Sequence, residues 1–377
     1  MSETGEQLVA GKNVAIIGVG NIGSQQVTHQ ARDPAVRHLT LVDPDFCSAE
    51  NHSQEYFPED IGKKKAIVSA RRARRIRHHG DLQVDAIVAR VEDVPWGRLR
   101  ADVILACVDS RLARAAINRI AWRLNIPWID AGIRSQGSLV RIEVHLPGAA
   151  TPCIECSWNR SDFELMADAT YTCDGRLNQP APTRSPSSLG GLAAALQAIE
   201  CRKILTEAAD QSLAGKQLII EADFHHHYVN LLRRNPSCRF DHQIWTIAKA
   251  PQSVRTMGDL MDHGRMLFGG KYPADVSAEC KNWVTRLVCR NCRQQARALR
   301  LQGRLGRMWG LCVRCGGEMQ PIGFHLCPRL EFASLGNRLL ARPLRNYGLR
   351  ACDVMTLTNE HDVRHIELDL SPETGGN

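Results

Sequence analysis

No stretch of this chain is apolar for long, and no run approaches the roughly 18 residues that a membrane-spanning helix needs. The first residues, MSETGEQLVAGKN, are polar and lack the hydrophobic core of a secretion signal. These two absences predict a soluble, cytoplasmic protein with no membrane partner. Without a secretion signal, the 14 cysteines point to metal ligation or thiol chemistry rather than to disulfides. Charge of one sign is only mildly short: 48 Lys and Arg against 40 Asp and Glu give a formal net charge of +8, which suggests acidic partners. The basic residues are spread along the chain, so the charge by itself does not indicate nucleic-acid binding. At 377 residues the chain is long enough for a sizeable core and more than one domain.

What is present begins with the stretch from Lys12 to Lys65. Asn13 to Ile17 is a short apolar run, followed at once by Gly18, Gly20 and Gly23. A helical stretch comes next, and Leu39 to Val42 is a second apolar run that ends on Asp43. The order is strand, glycine turn, helix, strand and carboxylate. Glycines let backbone N–H groups approach phosphates, and the helix N-terminus adds positive potential there. An acid about 20 residues past the last glycine sits where a ribose hydroxyl would be held. The pattern therefore predicts a nucleotide without naming it.

The segment after Asp43 separates the candidates. A dinucleotide-binding unit would continue with an ordinary helix, but here a polar loop, DPDFCSAENHSQEYFPEDIG, leads to Lys63, Lys64 and Lys65. Asn51 and Gln54 offer neutral donors and Lys65 a mobile positive charge, a set that suits a triphosphate. Lys63, Lys64 and the arginines of RRARRIR read as the solvated face of a helix from about Lys64 to His78. Val103 to Val108 reads as a buried strand that delivers Asp109 at its carboxyl end, the edge where open parallel sheets bind ligands. Asp109 is placed to hold Mg²⁺ between phosphates, and it could also cap the helix from Arg111 to Asn125. Ile126 to Ala131, Leu139 to Leu146 and Gln217 to Ala222 read as further strands, the last completing the sheet, and Ser188 to Leu205 as an Ala- and Leu-rich helix.

Taken together, GVGNIGS, LVDPD, EDIGKKKA, ACVDS with Arg114 and Asn118, and PCIEC resemble the ThiF/MoeB family, relatives of ubiquitin-activating enzymes, over about Lys12 to His242. The resemblance implies an α/β fold, a Rossmann-like doubly wound sheet of ThiF-type topology. It implies ATP-dependent adenylation of the C-terminus of a ubiquitin-like or sulfur-carrier protein that ends in Gly-Gly, and a homodimer. Carried over by position, Gly18, Gly20, Asn21, Gly23, Asp43, Asp45, Asn51 and Gln54 face the ATP, with Asp43 on its ribose. Lys65 would contact the phosphates and Asp109 would be the Mg²⁺-linked acid. Two departures stand out. NHSQE lacks the family's arginine after the second strand, and no arginine precedes Arg32 to be lent to a partner subunit.

The cysteines carry the rest. Cys153 and Cys156 lie where the family has its first zinc pair, and NPSCRFDH offers Cys238 and His242 as the second, unless Cys238 is a buried thiol. Three consecutive histidines, His225, His226 and His227, cannot converge on one metal from a regular element and read as surface or core residues. Between the two halves of that site runs a polar crossover loop, residues 157–187, holding Cys173. Family members that form a thioester or persulfide carry their cysteine in this loop, and nearby Arg176 would favour the thiolate. Cys173 could equally be an incidental exposed thiol, while Cys47, Cys107 and Cys201 read as structural. Farther on, Cys289, Cys292, Cys312 and Cys315 make two CxxC knuckles separated by 19 residues, the spacing of a four-thiolate zinc ribbon. The arginine-rich loop between them has no interleaved aromatics and suits protein contact rather than nucleic acid.

The expected organisation is an adenylation domain over 1–242, a zinc-ribbon region over 243–328 and a small β-rich or ubiquitin-like region over 329–377. Beyond the carrier, a conjugating-enzyme-like protein or a sulfur donor would receive the activated group. Two other classes compete: a non-catalytic binding scaffold, which the missing arginine favours, and an NAD-dependent oxidoreductase. The second would need a catalytic acid and a hydride pocket that the sequence does not offer.

Overall fold

A computed structural model describes residues 11–51, 54–77, 81–134, 136–170, 185–305 and 310–370. Val14, Ala15 and Ile16 of β1 (Lys12–Ile17) are wholly buried, as a central parallel strand covered on both faces must be. The glycine turn leads into α1 (Asn21–Arg32) and then β2 (Val36–Val42), and a long loop leads to α2 (Lys65–Ile76) and β3 (Gln83–Ile87). Next come β4 (Val103–Ala106), α3 (Arg111–Leu124), β5 (Trp128–Arg134) and β6 (Leu139–His145). They are followed by α4 (Arg160–Thr170), α5 (Ser187–Leu205), β7 (Lys216–Glu221) and β8 (His226–Leu231).

These strands form one sheet in the order β3-β2-β1-β4-β5-β6-β7-β8. The first five are parallel, in Rossmann order, whereas β6, β7 and β8 run antiparallel to their neighbours. The sheet is thus mixed: its parallel half keeps the Rossmann order expected, and an antiparallel half extends it. Antiparallel strands need only short turns, and no crossover helix separates β5 from β6 or β7 from β8. Nor does the segment 217–222 complete the sheet, because β8 adds an edge whose six residues are all exposed. His225 occupies a positive-φ turn (54°), and His226 and His227 open that exposed strand, so they are surface residues. Ala70 and Ala73 of α2 and the small buried residues of α5, Ala193, Ala194 and Cys201, share a core with Val14, Ile16, Val103 and Leu105.

Residues 246–377, with 95–98, make a second compact unit. Its elements are β9 (Ile247–Lys249), α6 (Met257–Leu267), β10 (Asp275–Ser277), β11 (Trp283–Cys289) and β12 (Gln295–Leu301), then β13 (Met319–Gln320), β14 (Leu326–Cys327), β15 (Leu330–Glu331), β16 (Val354–Thr358) and β17 (Val363–Glu367). One sheet has the order β15-β10-β16-β17-β9, and the other has β12-β11-β13 with β14 also on β11. Strands on either side of position 328 therefore pair with one another. Wholly buried Trp283 donates its indole N–H to the Val276 carbonyl (3.1 Å) and meets Tyr347 edge-on at 6.3 Å. Within the arginine-rich segment expected as a loop, Gln295–Leu301 is strand β12. A register shift on β11 between Val284 and Arg286, with Leu299 at φ 37°, lets Ala298 and Leu301 both face inward.

Candidate nucleotide and metal sites

The glycine turn divides its labour. Gly18 has φ +85°, and a Cβ there would come within 2.5 Å of the Cys107 carbonyl oxygen. A Cβ on Gly23 would meet the Gly18 carbonyl oxygen at 1.9 Å, so these two glycines serve close packing of β1, α1 and β4. A Cβ on Gly20 would meet nothing within 4 Å. Open space at the first turn of α1, beside backbone N–H groups, is the cradle that a phosphate requires.

Asp43 ends β2 with 5% of its surface exposed. Its Oδ2 accepts the Val19 N–H (2.8 Å) and its Oδ1 the Asp45 N–H (2.8 Å), so the carboxylate shapes the turn. Burial raises its pKa, against the two N–H bonds and the charge of Lys65. Lys65 is the first residue of α2, with its ammonium 3.5 Å from Asp45 Oδ2 and 9% of its side chain exposed. Asn51 accepts the Ser48 N–H (2.9 Å) through Oδ1, and Gln54 Oε1 is buried without a partner. Asn21 is turned elsewhere: its amide donates to the Ser185 (3.0 Å) and Pro186 (3.1 Å) carbonyls at the start of α5. Asp109 is exposed just past β4. It does not cap α3, because Ser110 Oγ accepts the Ala113 N–H (3.1 Å) in that role, which leaves the Asp109 carboxylate free for other chemistry.

Several participants were not legible in the sequence. Tyr56 donates its hydroxyl to the Val19 carbonyl (2.5 Å), tying the polar loop to the glycine turn. Arg72 donates to the Glu55 carbonyl (2.7 Å) and pairs with the Glu55 carboxylate, and Arg77 donates through Nε to the Ala31 carbonyl (2.8 Å). The arginines of α2 are thus not all a solvated face. Arg72 lies seven residues after Lys65, two helical turns along the same side, and that spacing could have flagged it. Asp130, wholly buried, takes Arg114 Nε (2.8 Å) and Arg141 Nη2 (2.5 Å), a pairing across α3, β5 and β6 that nothing local announces.

Both cysteine clusters come together. Cys153, Cys156, Cys238 and His242 place one ligand atom each within 4.8 Å of the others, and so do Cys289, Cys292, Cys312 and Cys315. Sulfurs 2.3 Å from a tetrahedral zinc would be about 3.8 Å apart. The observed separations are 3.9 Å for Cys153–Cys156, 3.8 Å for Cys153–Cys238, 3.5 Å for Cys289–Cys315 and 3.6 Å for Cys292–Cys312. His242 Nδ1 lies 2.7 Å from the Phe240 carbonyl and so carries the proton, which turns the Nε2 lone pair to Cys156 Sγ at 3.3 Å. A hydrogen bond from Cys153 holds the Cys156 thiol well below its ordinary range, favouring the thiolate that binds metal. Arg123, buried at the end of α3, fixes the His242 loop by bonding Asp241 (2.6 Å) and the Gln243 carbonyl (2.8 Å). Both donor sets fit a zinc ion. Cys289 ends β11, Cys292 lies in the turn to β12, and Cys312 and Cys315 precede β13.

Cys173 and Arg176 lie outside the described residues. Cys47 and Cys201 are buried and Cys107 half-buried, and burial pushes all three thiols up, as suits structural residues. Among the described residues no helix is long and apolar enough to cross a membrane.

Several known proteins are similar to this chain. The sulfur carrier protein ThiS adenylyltransferase of Escherichia coli is 30% identical over 158 residues, 41% of this chain and 61% of that protein. Ubiquitin-like modifier-activating enzyme 5 of Caenorhabditis briggsae is 28% identical over 159 residues, 38% of this chain and 36% of that enzyme. The chain thus spans less than two thirds of either relative. A crystal structure of Escherichia coli MccB with ATP aligns over 61% of this chain and 67% of its own, at 21% identity and a TM-score of 0.49. The family match itself runs over residues 1–240, which include the glycine turn, Lys65, Asp109 and three of the first four metal-ligand candidates, and on it the chain belongs to the ThiF family.

Proposed function

We propose that this protein uses ATP to adenylate the C-terminal carboxylate of a ubiquitin-like or sulfur-carrier protein ending in Gly-Gly. The observation that carries the reading is one edge of the sheet, where the open Gly20 turn follows β1, Asp43 follows β2 with Lys65 at the start of α2 reaching Asp45, and the uncommitted Asp109 follows β4. A carboxylate oxygen of the carrier attacks the α-phosphorus, the bond to the β-phosphate oxygen breaks, and pyrophosphate leaves with the electron pair. Negative charge grows on the phosphates as this happens, and Lys65 offsets it through its ammonium. Asp109 holds Mg²⁺ there, which supplies further positive charge. Gly18, Gly20, Gly23, Asp43, Asp45, Asn51 and Gln54 shape and line the nucleotide pocket. Both four-ligand clusters hold zinc structurally, because four protein ligands leave no open position for water.

Cys173 then attacks the acyl carbonyl as thiolate, AMP departs, and the thioester passes to a conjugating enzyme or a sulfur donor. The working unit is a homodimer. The test is ATP–pyrophosphate exchange with a recombinant Gly-Gly-ended sulfur carrier and with a ubiquitin-like protein. Exchange that depends on one of them is expected. Cys173→Ala should keep exchange and lose a covalent adduct that reducing agent cleaves; an equal adduct in the variant would remove Cys173 from the reaction. A non-catalytic scaffold, favoured by the missing loop arginine, would bind the carrier without exchange. An oxidoreductase would bind NAD more tightly than ATP.

A further inference from the structure

Helix α4 is tied down at its first turn in two directions. Asp162 Oδ1 accepts both Nε and Nη2 of Arg111 (2.8 Å each), and Arg111 stands two residues after Asp109, at the start of α3. The same carboxylate accepts the Asn159 N–H through Oδ2 (2.9 Å) and is only 17% exposed. One residue on, the Phe163 ring lies 4.0 Å under the guanidinium of Arg239 and 5.6 Å from Trp158, edge to face. Arg239 follows Cys238 directly, inside the Cys153–Cys156–Cys238–His242 cluster. Consecutive side chains of α4 therefore clasp the Asp109 edge on one side and the metal-ligand loop on the other.

We propose that Asp162 and Phe163 are positioning residues that lock the cluster, α4 and the start of α3 into one body. On the adenylation reading, which this rests on, that body forms the wall along which the carrier's carboxylate approaches. Apart from Asp109, the groups assigned to the nucleotide come from β1, β2, α2 and their loops, while α3 and α4 continue the edge beyond β4, leaving that side for the second substrate. An exposed ion pair alone would contribute little, but Asp162 is mostly buried and doubly bonded.

Hydrogen exchange of the metal-loaded full chain tests the clasp without any carrier. Asp162→Asn, which keeps the cap on Asn159 and loses the charge, should speed exchange about tenfold in both residues 160–164 and 109–113. The charge swap Arg111→Asp with Asp162→Arg should restore protection at 109–113. Faster exchange confined to α4, or a swap that restores nothing, would overturn the proposal and reduce Asp162 to a helix cap. In pyrophosphate exchange with the Gly-Gly-ended carrier, Asp162→Asn should raise the carrier KM about tenfold and the ATP KM by a smaller factor, with recovery of both in the swap. An unchanged carrier KM in an enzyme that catalyses exchange would also overturn it. Failure of the wild-type protein to catalyse exchange would count against the adenylation reading, while the hydrogen-exchange outcome would still decide whether the clasp exists.

Discussion

Lys65 and Asp109 make opposite demands on the fold. Lys65 is nearly buried and leans on Asp45, whereas Asp109 is exposed, so its loss should change stability by no more than about 0.5 kcal/mol. Lys65→Ala and Asp109→Ala should each cut pyrophosphate exchange by about a hundredfold or more, with an unchanged circular dichroism spectrum. Full exchange in either folded variant would strip that residue of its role. Glu143, 1% exposed, makes a different prediction. Burial works to raise its pKa, but His145, Arg141 at 3.4 Å and the Gln217 amide at 2.5 Å outweigh it and hold the carboxyl at about 2. A carboxyl whose pKa falls on folding stabilises fully above its unfolded value of 4.5 and loses that contribution as pH drops towards 2. Glu143→Gln should therefore flatten the fall in urea midpoint between about pH 4.5 and 2; equal slopes would show that the network contributes nothing. Motif residues such as Asp43 and Lys65 were legible because their type and spacing are local. Arg123 was not, because its partner Asp241 lies 118 residues away, and Asp130 was not, because its two arginines reach it from α3 and β6 without any local motif.

At the level of elements, three CxxC pairs were plain in the sequence; Cys289–Cys292 and Cys312–Cys315 complete one another, and Cys153–Cys156 needed the distant Cys238 and His242 to become a four-ligand cluster. Purified protein should carry two zinc ions per chain by metal analysis, and His242→Ala should lower this towards one while Cys289, Cys292, Cys312 and Cys315 keep theirs. A single zinc in the wild-type chain would dismiss the cluster that ends in His242. The sequence pattern found β1, β2, β4 and the helices α1, α3 and α5. It missed β12, where the bulge breaks the alternation of ARALRL and makes a strand look like a polar loop. It also offered Asp109 as the cap of α3 when Ser110, one residue on, does the work. Boundaries of this kind turn on a single φ/ψ step that composition does not encode.

For the whole molecule, the sequence by itself determined the parallel Rossmann-ordered half and the edge where its ligands belong, and it pointed to the family. Glycines, a strand-ending acid and buried apolar runs act within a few residues of one another, so their consequences are local. The tertiary structure decided that β6, β7 and β8 run antiparallel, and that strands from both sides of position 328 share a sheet. Strand direction and pairing partner depend on which distant edge is left unsatisfied, and short alternating strands read alike in either orientation. The fold brought Cys238 and His242 to Cys153 and Cys156, the pairing that the family resemblance had suggested, while the tertiary structure alone set Asp162 against Arg111 and Phe163 against Arg239. Spacing along the chain carries no information about such contacts, because the chain between them can close over any length at nearly the same entropic cost.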